Sequence, residues 1–302
     1  MDHPRVSRRA LLAGAAALAA RPAAAAGGKL KVAIFSKHLQ FVQGSELAKT
    51  AADLGFDAVD ITVRKGGHVA PERVRQDLPP LVAAIRERGL DVPMVTTDIL
   101  DAASPYAEDI VATAAGLGIR HYRFGGFKYT ADRPYAAQLD ALRPRLAGLA
   151  ALNARHDSCA MYHTHSGVGL VGASIWDLYL VMRDLDPRHI GVNYDIGHAT
   201  IEGGIGGWIN SFRITGPHLR GIAVKDYVWR KDAKGQWKEA WVPLGEGMVH
   251  FPEFWQMVAA SGFAGPLQIH FEYKLPEARE GIYGAMRRDL ATLRGQLAKA
   301  GL

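Results

Sequence analysis

The chain contains almost no cysteine and no long hydrophobic run. Cys159 is the only cysteine among the 302 residues, so no intramolecular disulfide can form. No segment reaches the roughly 18 to 20 consecutive apolar residues that would span a bilayer. We therefore expect no membrane span. We interpret Cys159 as a core residue on a strand, with a nucleophilic role as the alternative.

A block of basic residues is also absent, although the formal net charge is +6. Lysines and arginines are interspersed with acids, and several of the arginines fall within residues 1–27. Without that segment the formal charge would be about +3. The charge pattern therefore argues against a nucleic-acid partner.

Residues 1–27 have the pattern of an export signal. The segment begins with a basic stretch, continues with a short apolar run and ends in small residues. Arg8 and Arg9 stand directly before the apolar run, as in signals of the twin-arginine type. We predict that residues 1–27 are cleaved and that the protein is periplasmic or secreted. A disordered Ala-rich tail is the alternative.

Strand-like runs recur along the rest of the chain at intervals of roughly 30 to 45 residues, each followed by a helix-like pattern. Eight runs are predicted as strands: Leu30 to Ser36, Ala58 to Val63, Val92 to Thr96, His121 to Phe124, Ser158 to His163, Ile190 to Asp195, Leu219 to Lys225, and Leu267 to Phe271. Several helix candidates end in a glycine suited to a left-handed cap, as at Gly55, Gly89 and Gly118.

This alternation predicts a single-domain (β/α)8 TIM barrel over residues 28–302. A doubly wound open sheet is the alternative. Its best signature, G-x-G-x-x-G after the first strand, is missing, because FSKHLQF stands there instead. The closed barrel is therefore the favoured fold.

Polar side chains cluster at the carboxyl ends of the predicted strands. The residues are Lys37, His38, Arg64, His68, Thr97, Asp98, Arg123, His163, His165, Asp195, His198, Lys225, Asp226, His270 and Glu272. TIM barrels carry their active sites on this face, so we expect the function there.

Two strand ends carry paired candidate ligands. Side chains alternate along a strand, so His163 and His165 should project to one side, as should His270 and Glu272. Asp195 ends a third strand. Imidazole and carboxylate suit a divalent ion such as Mn, Co, Fe or Zn, and we predict a metal site. Structural, hydrogen-bonded histidines are the alternative.

Other polar positions leave several roles open. Lys225 and Asp226 could form a buried ion pair, or Lys225 could donate to a substrate oxygen or shuttle a proton. Substrate contacts are expected from His38, Arg64, His68, Arg123 and His198.

The loop after the seventh strand is rich in tryptophan. Trp229, Trp237 and Trp241 predict either a hydrophobic cover over the barrel rim or a stacking surface for a sugar ring. The loop is long enough to act as a lid.

Several segments together carry a resemblance to a known family: DAVDITVRKGGHV, YHTHSG, GVNYDIGHA, VKD, PLGEG and GFAGPLQIHFEY. With them the chain resembles the sugar phosphate isomerase/epimerase family of xylose-isomerase-like TIM barrels, from about Lys31 to the C-terminus. Within that family it is similar to an exported branch with a KHLQF-like first strand end.

The resemblance also implies where a metal would bind. Members of the family usually hold it with a Glu ending the fifth strand, an Asp ending the sixth, a His on the seventh and a Glu on the eighth. In this chain the positions fall on His163, Asp195, Ala223 and His270. Since Ala223 has no donor atom, there are two alternatives. Either a shifted set holds the metal, namely His163, Asp195 and His270 with Glu272 or His165 as a further candidate, or the site has lost the metal and keeps only a sugar pocket.

We therefore predict a metal-dependent isomerase or epimerase of a sugar or sugar-derived carbonyl compound, working by proton transfer next to the carbonyl. Glu272 and His165 are the acid/base candidates, and Lys225 is the expected partner of a substrate oxygen. The alternatives are a lyase or dehydratase for 3-keto sugars or glycosides and a non-catalytic sugar-binding barrel. The expected partner is a small-molecule carbohydrate, and the oligomeric state stays open, with a homo-oligomer as one option.

Overall fold

The computed structural model of the protein describes residues 29–302, so the predicted export signal lies outside the described residues. In chain order the strands are β1 (Val32–Phe35), β2 (Ala58–Val63), β3 (Met94–Thr97), β4 (His121–Phe124), β5 (Cys159–His163), β6 (Ile190–Asp195), β7 (Leu219–Val224), β8 (Asp226–Lys231), β9 (Trp237–Val242) and β10 (Leu267–Ile269).

Eight of these strands close into a parallel barrel in the order β1, β10, β7, β6, β5, β4, β3, β2. Pairing of β1 with β10 closes the ring, with Ala33 opposite Gln268. The predicted (β/α)8 barrel is thereby confirmed, and the open sheet is excluded. The predicted strand ends agree with the structure to within two residues.

Helices surround the barrel: α1 (Gly44–Asp53), α2 (Val74–Glu87), α3 (Ala107–Gly116), α4 (Tyr135–Arg155), α5 (Trp176–Met182), α6 (Ile196–Gly203), α7 (Gly207–Thr215), α8 (Phe251–Ser261) and α9 (Arg279–Ala300). Gly55, Gly89 and Gly118 follow α1, α2 and α3 with φ of 87°, 76° and 79°, the left-handed conformation that glycine adopts without strain. Among residues 29–302, no helix combines the length and apolar character that crossing a membrane requires.

The interior of the barrel is more polar than its outer core. A small cluster of Met94, Cys159 and Met161 occupies the inside, while the main apolar core lies between strands and helices. Asn193 and Gln268 are completely buried as well. Burial raises the pKa of Cys159 to about 12, so this thiol is unreactive and part of the core.

The tryptophan-rich loop contains a β-hairpin that the sequence analysis did not predict. β8 and β9 pair in antiparallel register, with Trp229 opposite Glu239. Trp241 packs against His198, with 5.0 Å between ring centres, whereas Trp237 is largely exposed. The hairpin therefore covers one side of the barrel rim with Trp241.

Asp226 anchors the loop that follows the hairpin and does not pair with Lys225. Its carboxylate accepts from the backbone N–H groups of Tyr227, Gly245, Gly247 and Val249 over 2.9–3.1 Å. The ion pair considered from the sequence is therefore replaced by a carboxylate that holds the backbone of the PLGEG segment.

Asp226→Ala should loosen this loop and lower the free energy of unfolding by about 2–4 kcal/mol, because it leaves buried N–H groups without an acceptor. Urea denaturation measures the loss. As a control, Asp232→Ala removes a carboxylate from the exposed hairpin turn and should cost much less. Equal losses in the two variants would contradict the anchoring role.

Candidate active site

Three side chains from different strands converge at the carboxyl end of the barrel. His163 ends β5, Asp195 ends β6, and His270 directly follows β10. His163 Nε2 lies 3.6 Å from Asp195 Oδ2, and His270 Nδ1 lies 3.9 Å from the same oxygen. One donor atom from each buried residue lies within 4.8 Å of the others. The structure thus brings these three predicted residues together in a group that could hold a metal ion.

Two of the donor atoms have no hydrogen-bond partner within residues 29–302. They are Asp195 Oδ2 and His270 Nδ1, and both are shielded from solvent. Leaving buried polar atoms unpaired costs free energy. A divalent cation would satisfy both atoms together with His163 Nε2, because two imidazoles and one carboxylate form a known ligand set for such ions. The donor set therefore fits a metal.

An amide behind His270 fixes the position of its ring proton. Gln268 donates from Nε2 to Met94 Sδ over 3.3 Å, and its Oε1 lies 3.1 Å from His270 Nε2. This arrangement makes His270 Nε2–H the donor to Gln268. The free electron pair of His270 consequently lies on Nδ1, toward Asp195.

A second amide lies behind His163. Asn193 contacts His163 Nδ1 over 3.2 Å, while Asn193 Oδ1 has no hydrogen-bond partner among the described residues. Rotating this amide by 180° gives His163 Nδ1–H an acceptor and leaves Nε2 free for a cation. Burial, reinforced by nearby cationic residues, holds the pKa of His163 and of His270 well below the usual range, so both rings are neutral.

Lys225 lies beside this group and is almost completely buried. Its Nζ contacts His198 Nε2 at 2.6 Å and Glu272 Oε2 at 3.0 Å, and it lies over the ring of Trp241. Nζ also lies 3.2 Å from Asp195 Oδ2, as an ion pair without hydrogen-bond geometry. Two hydrogen bonds, one ion pair and one aromatic ring thus surround the ammonium. Lys225 compensates the charge of both carboxylates.

The two acid/base candidates have different surroundings. Burial acts to raise the pKa of Glu272, but the Lys225 ammonium outweighs it, so the net pKa is lowered and the carboxylate is ionised. His165 is exposed, and its ring stacks on His198 with 3.7 Å between centres. His165 Nδ1 faces the carbonyl of Ser166 at 3.0 Å, so Nε2 is the nitrogen left to meet a substrate.

Three predicted substrate contacts are engaged by the protein itself. His198 contacts Ser166 Oγ through Nδ1 at 2.7 Å and Lys225 Nζ through Nε2 at 2.6 Å. The ring nitrogens of His68 hydrogen-bond with Thr62 Oγ1 and the Val42 carbonyl, both at 3.1 Å. Both nitrogens are thereby used, and His68 holds the loop after β2. His38 Nε2 accepts from the backbone N–H of Phe271 over 3.1 Å, and burial lowers the pKa of His38 to about 3. Only Nδ1 of His38 is left for another contact.

Arg64 and Arg123 lie together over the ring of Phe35. Their guanidinium carbons lie 5.7 and 5.9 Å from its centre, and both side chains are half-buried. Arg123 also lines a cavity of about 300 Å³ with His163 and His165. Such a volume can hold a small molecule next to the convergent group.

Ala223 occupies the interior position where the family resemblance implies a histidine ligand. It is completely buried on β7, in register with Asp195 on β6 and with Gln268 on β10. Lys225, two residues later on the same face of the chain, supplies the contact to Asp195. A cation at this site would therefore have no ligand from β7 among residues 219–224.

The sequence analysis missed Phe35, Asn193 and Gln268. The two amides stand two residues before Asp195 and His270, which places them on the same strand face and one layer deeper. A polar residue two positions before a predicted ligand is a signal that could have found them. Phe35 carries no such signal, because an apolar residue at a strand end is expected in any barrel core.

A closed (β/α)8 barrel with a buried polar group at the carboxyl ends of its strands is the class that fold and site define. Residues 48–292 match the family of the xylose isomerase-like TIM barrel, and the chain belongs to this family. The resemblance seen in the sequence is thereby confirmed. No curated protein sequence matches the chain.

Solved structures with sugar-related names share the fold. A D-tagatose 3-epimerase-like protein superposes with a TM-score of 0.69 at 15% identity, covering 90% of this chain and 98% of that protein. The 3-keto-D-glucoside 4-epimerase of E. coli gives 0.65 at 17% identity, covering 88% and 100%. A probable 3-DHS dehydratase from Bacillus anthracis gives 0.67 at 15%, covering 87% and 99%. At these identities the likeness establishes the fold.

Lys225→Met should destabilise the protein by about 3–5 kcal/mol, because it leaves the buried Asp195 carboxylate without its ammonium partner. Thermal and urea unfolding of the variant measure the loss. In the control, Lys49→Met removes a cation from an exposed ion pair with Asp53, and we expect a change within about 0.5 kcal/mol. A Lys225→Met variant as stable as the parent protein would contradict the compensating role.

Proposed function

We propose that the protein is a metal-dependent isomerase or epimerase of a sugar or sugar-derived carbonyl compound. The observation that carries the proposal is the convergence of His163, Asp195 and His270, in which Asp195 Oδ2 and His270 Nδ1 have no hydrogen-bond partner among residues 29–302. Structures of the same fold include proteins named as a D-tagatose 3-epimerase-like protein and a 3-keto-D-glucoside 4-epimerase, which supports a sugar substrate.

His163 Nε2, Asp195 Oδ2 and His270 Nδ1 would hold the ion, which we expect to be Mn, Co, Fe or Zn. Three protein ligands leave further coordination positions open, as catalytic sites require. When bound, a divalent ion supplies Lewis-acid polarisation of a substrate carbonyl. The amides of Gln268 and Asn193 orient the two imidazoles for this role.

Proton transfer falls to side chains around the group. Glu272 is ionised and 23% exposed, so its carboxylate can remove a proton next to the carbonyl. His165 lies beside His163, with 6.2 Å between ring centres, and can return or remove a proton through Nε2. Lys225 keeps Glu272 ionised and in place. We therefore assign Lys225 a positioning role and not direct contact with the substrate.

A second candidate reaction begins with the same proton abstraction. If the carbon adjacent to the deprotonated carbon bears a hydroxyl or glycosidic group, this group leaves as water or an alcohol while a C=C bond forms, and the enzyme is a dehydratase or lyase. The likeness of fold to a probable 3-DHS dehydratase favours keeping this alternative. We also retain the proposal of export, which depends on the pattern of residues 1–27 alone.

Asp195→Ala should abolish metal retention while the barrel stays folded, because the variant removes the central ligand and little apolar packing. Elemental analysis of protein purified without chelator, with circular dichroism for the fold, provides the measurement. Glu272→Gln is the matched control, and we expect it to retain the ion because Glu272 lies outside the convergent group. Full occupancy in Asp195→Ala would overturn the ligand assignment.

Incubation with keto-sugars in deuterated water separates the two reactions. An isomerase or epimerase incorporates deuterium next to the carbonyl without losing any group from the sugar, and mass spectrometry detects the gain. Glu272→Gln should slow this exchange by about 100-fold or more, the usual contribution of a general base. An unsaturated product or a released aglycone would instead establish elimination. No exchange and no product with any keto-sugar would refute the proposal of catalysis.

A further inference from the structure

Arg64 and Arg123 are half-buried guanidinium groups without a protein acceptor. Neither forms an ion pair or a side-chain hydrogen bond with another residue between 29 and 302, although most arginines of this region do, as Arg145 does with Asp101. The other arginines without such a partner are all exposed to solvent: Arg88, Arg213 and Arg230. Among residues 29–302, Arg64 and Arg123 are therefore the arginines that are half-buried and also lack an acceptor.

No carboxylate among residues 29–302 forms an ion pair with either guanidinium group, although the charge of Asp60 acts on both. The two oxygens of Asp60 share the single hydroxyl donor of Thr96, over 3.0 and 2.8 Å. Burial also raises the pKa of Asp60 to about 7, so it carries only part of a charge at neutral pH. Asp60 therefore offsets the positive charge of the two arginines only in part.

Of the other acids at the mouth, two are already paired, and Asp98 is exposed to solvent. Asp195 and Glu272 both contact the Lys225 ammonium. The cavity of about 300 Å³ next to Arg123 is lined by Lys128, His163 and His165 together with apolar and glycine residues, and by no carboxylate. This side of the mouth therefore presents cationic side chains to the cavity without a carboxylate among the lining residues.

Phe35 gives the two arginines a fixed geometry close to the reacting centre. Its ring lies under both guanidinium groups and stacks on His270, with 4.9 Å between the ring centres. Cation–π contact restrains the planar guanidinium groups. Their N–H donors match the two oxygens of a carboxylate, which arginine binds in a bidentate manner.

We propose that Arg64 and Arg123 form a carboxylate-binding subsite, so that the substrate is an acidic sugar derivative or a related hydroxy-keto acid and not a neutral sugar. This inference rests on the proposed function for the reacting carbonyl near His163 and His270, and it adds the class of substrate. The carboxylate would lie on the Phe35 side of the convergent group.

Matched pairs of acid and neutral ligand test the subsite. Calorimetric titrations would compare D-glucuronate with D-glucuronamide, D-galacturonate with D-galactose, and gluconate with sorbitol. We expect the acids to bind better than their neutral partners, and Arg64→Gln and Arg123→Gln each to weaken acid binding by about tenfold or more. Arg88→Gln, which changes an exposed unpaired arginine, should keep the preference. A panel in which no acid exceeds its neutral partner would overturn the proposal.

Two further measurements distinguish the subsite from acid binding by a metal and from a structural role of the arginines. The titrations are repeated on chelator-treated protein, because an acid held only by a bound metal would then lose its preference and contradict the subsite. The melting temperature of Arg64→Gln and Arg123→Gln should stay equal or rise, since each removes a cation that is compensated only in part. A fall of about 4 °C or more would indicate a structural role and overturn the assignment. Tighter binding of glucose 6-phosphate than of glucuronate would identify a phosphoryl site instead.

The deuterium exchange experiment distinguishes failure of the carboxylate subsite from failure of the proposed isomerase function. Acid binding that depends on both arginines, without exchange on any substrate, leaves the subsite standing and refutes the isomerase. Exchange that proceeds equally on neutral keto-sugars and on keto acids, and is unchanged in the two arginine variants, refutes the subsite and leaves the isomerase standing.

Discussion

The completely buried carboxylate of Asp195 is the constraint on which the site depends. Removing an ionised carboxylate from water costs several kcal/mol unless other groups compensate. Asp195 Oδ1 accepts the His198 backbone N–H over 3.0 Å at the first turn of α6, so one oxygen stabilises the fold. Oδ2 faces Lys225 and the two histidines, so the other oxygen serves the site. A Cβ on Gly197 would lie 2.7 Å from Lys225 Cγ, and glycine there lets α6 approach.

Two layers of side chains at this end of the barrel differ in character: the layer below the rim is rigid, and the rim carries the candidate reactive groups. Gln268 and Asn193 lie one layer below the rim, where contacts with sulfur and imidazole replace water. A group oriented by buried partners changes little when a ligand arrives, and this pre-organisation is what a reactive site needs. The rim itself is built from longer side chains on loops, such as Glu272 and His165, which are the ones left to meet a substrate.

The barrel could be predicted from the sequence because eight periodic units of this length allow few other topologies. His163, Asp195 and His270 could be predicted as candidate site residues because all three stand at strand ends. The role of Asp226 could not be predicted from the sequence, because a carboxylate that binds backbone amides needs a loop conformation that no local pattern encodes. The segments of β8 and β9 flank a turn at Gly235, which is a hairpin pattern. The sequence analysis interpreted their tryptophans only as a rim cover or a stacking surface. The proton positions on the histidines depend on amides from the layer below, which only packing reveals.

The charge of the barrel mouth differs from the pattern that the family resemblance implies. Where family members place glutamates at the ends of the fifth and eighth strands, this chain has His163 and His270, which burial keeps neutral. Relative to that pattern, two negative charges are absent from the mouth. A site with this balance stabilises an anion better than a neutral polyol, because attraction to the unpaired guanidinium groups is weakly screened in a half-buried cleft. The two histidines in place of glutamates and the presence of Arg64 and Arg123 therefore both agree with the proposed binding of an anion.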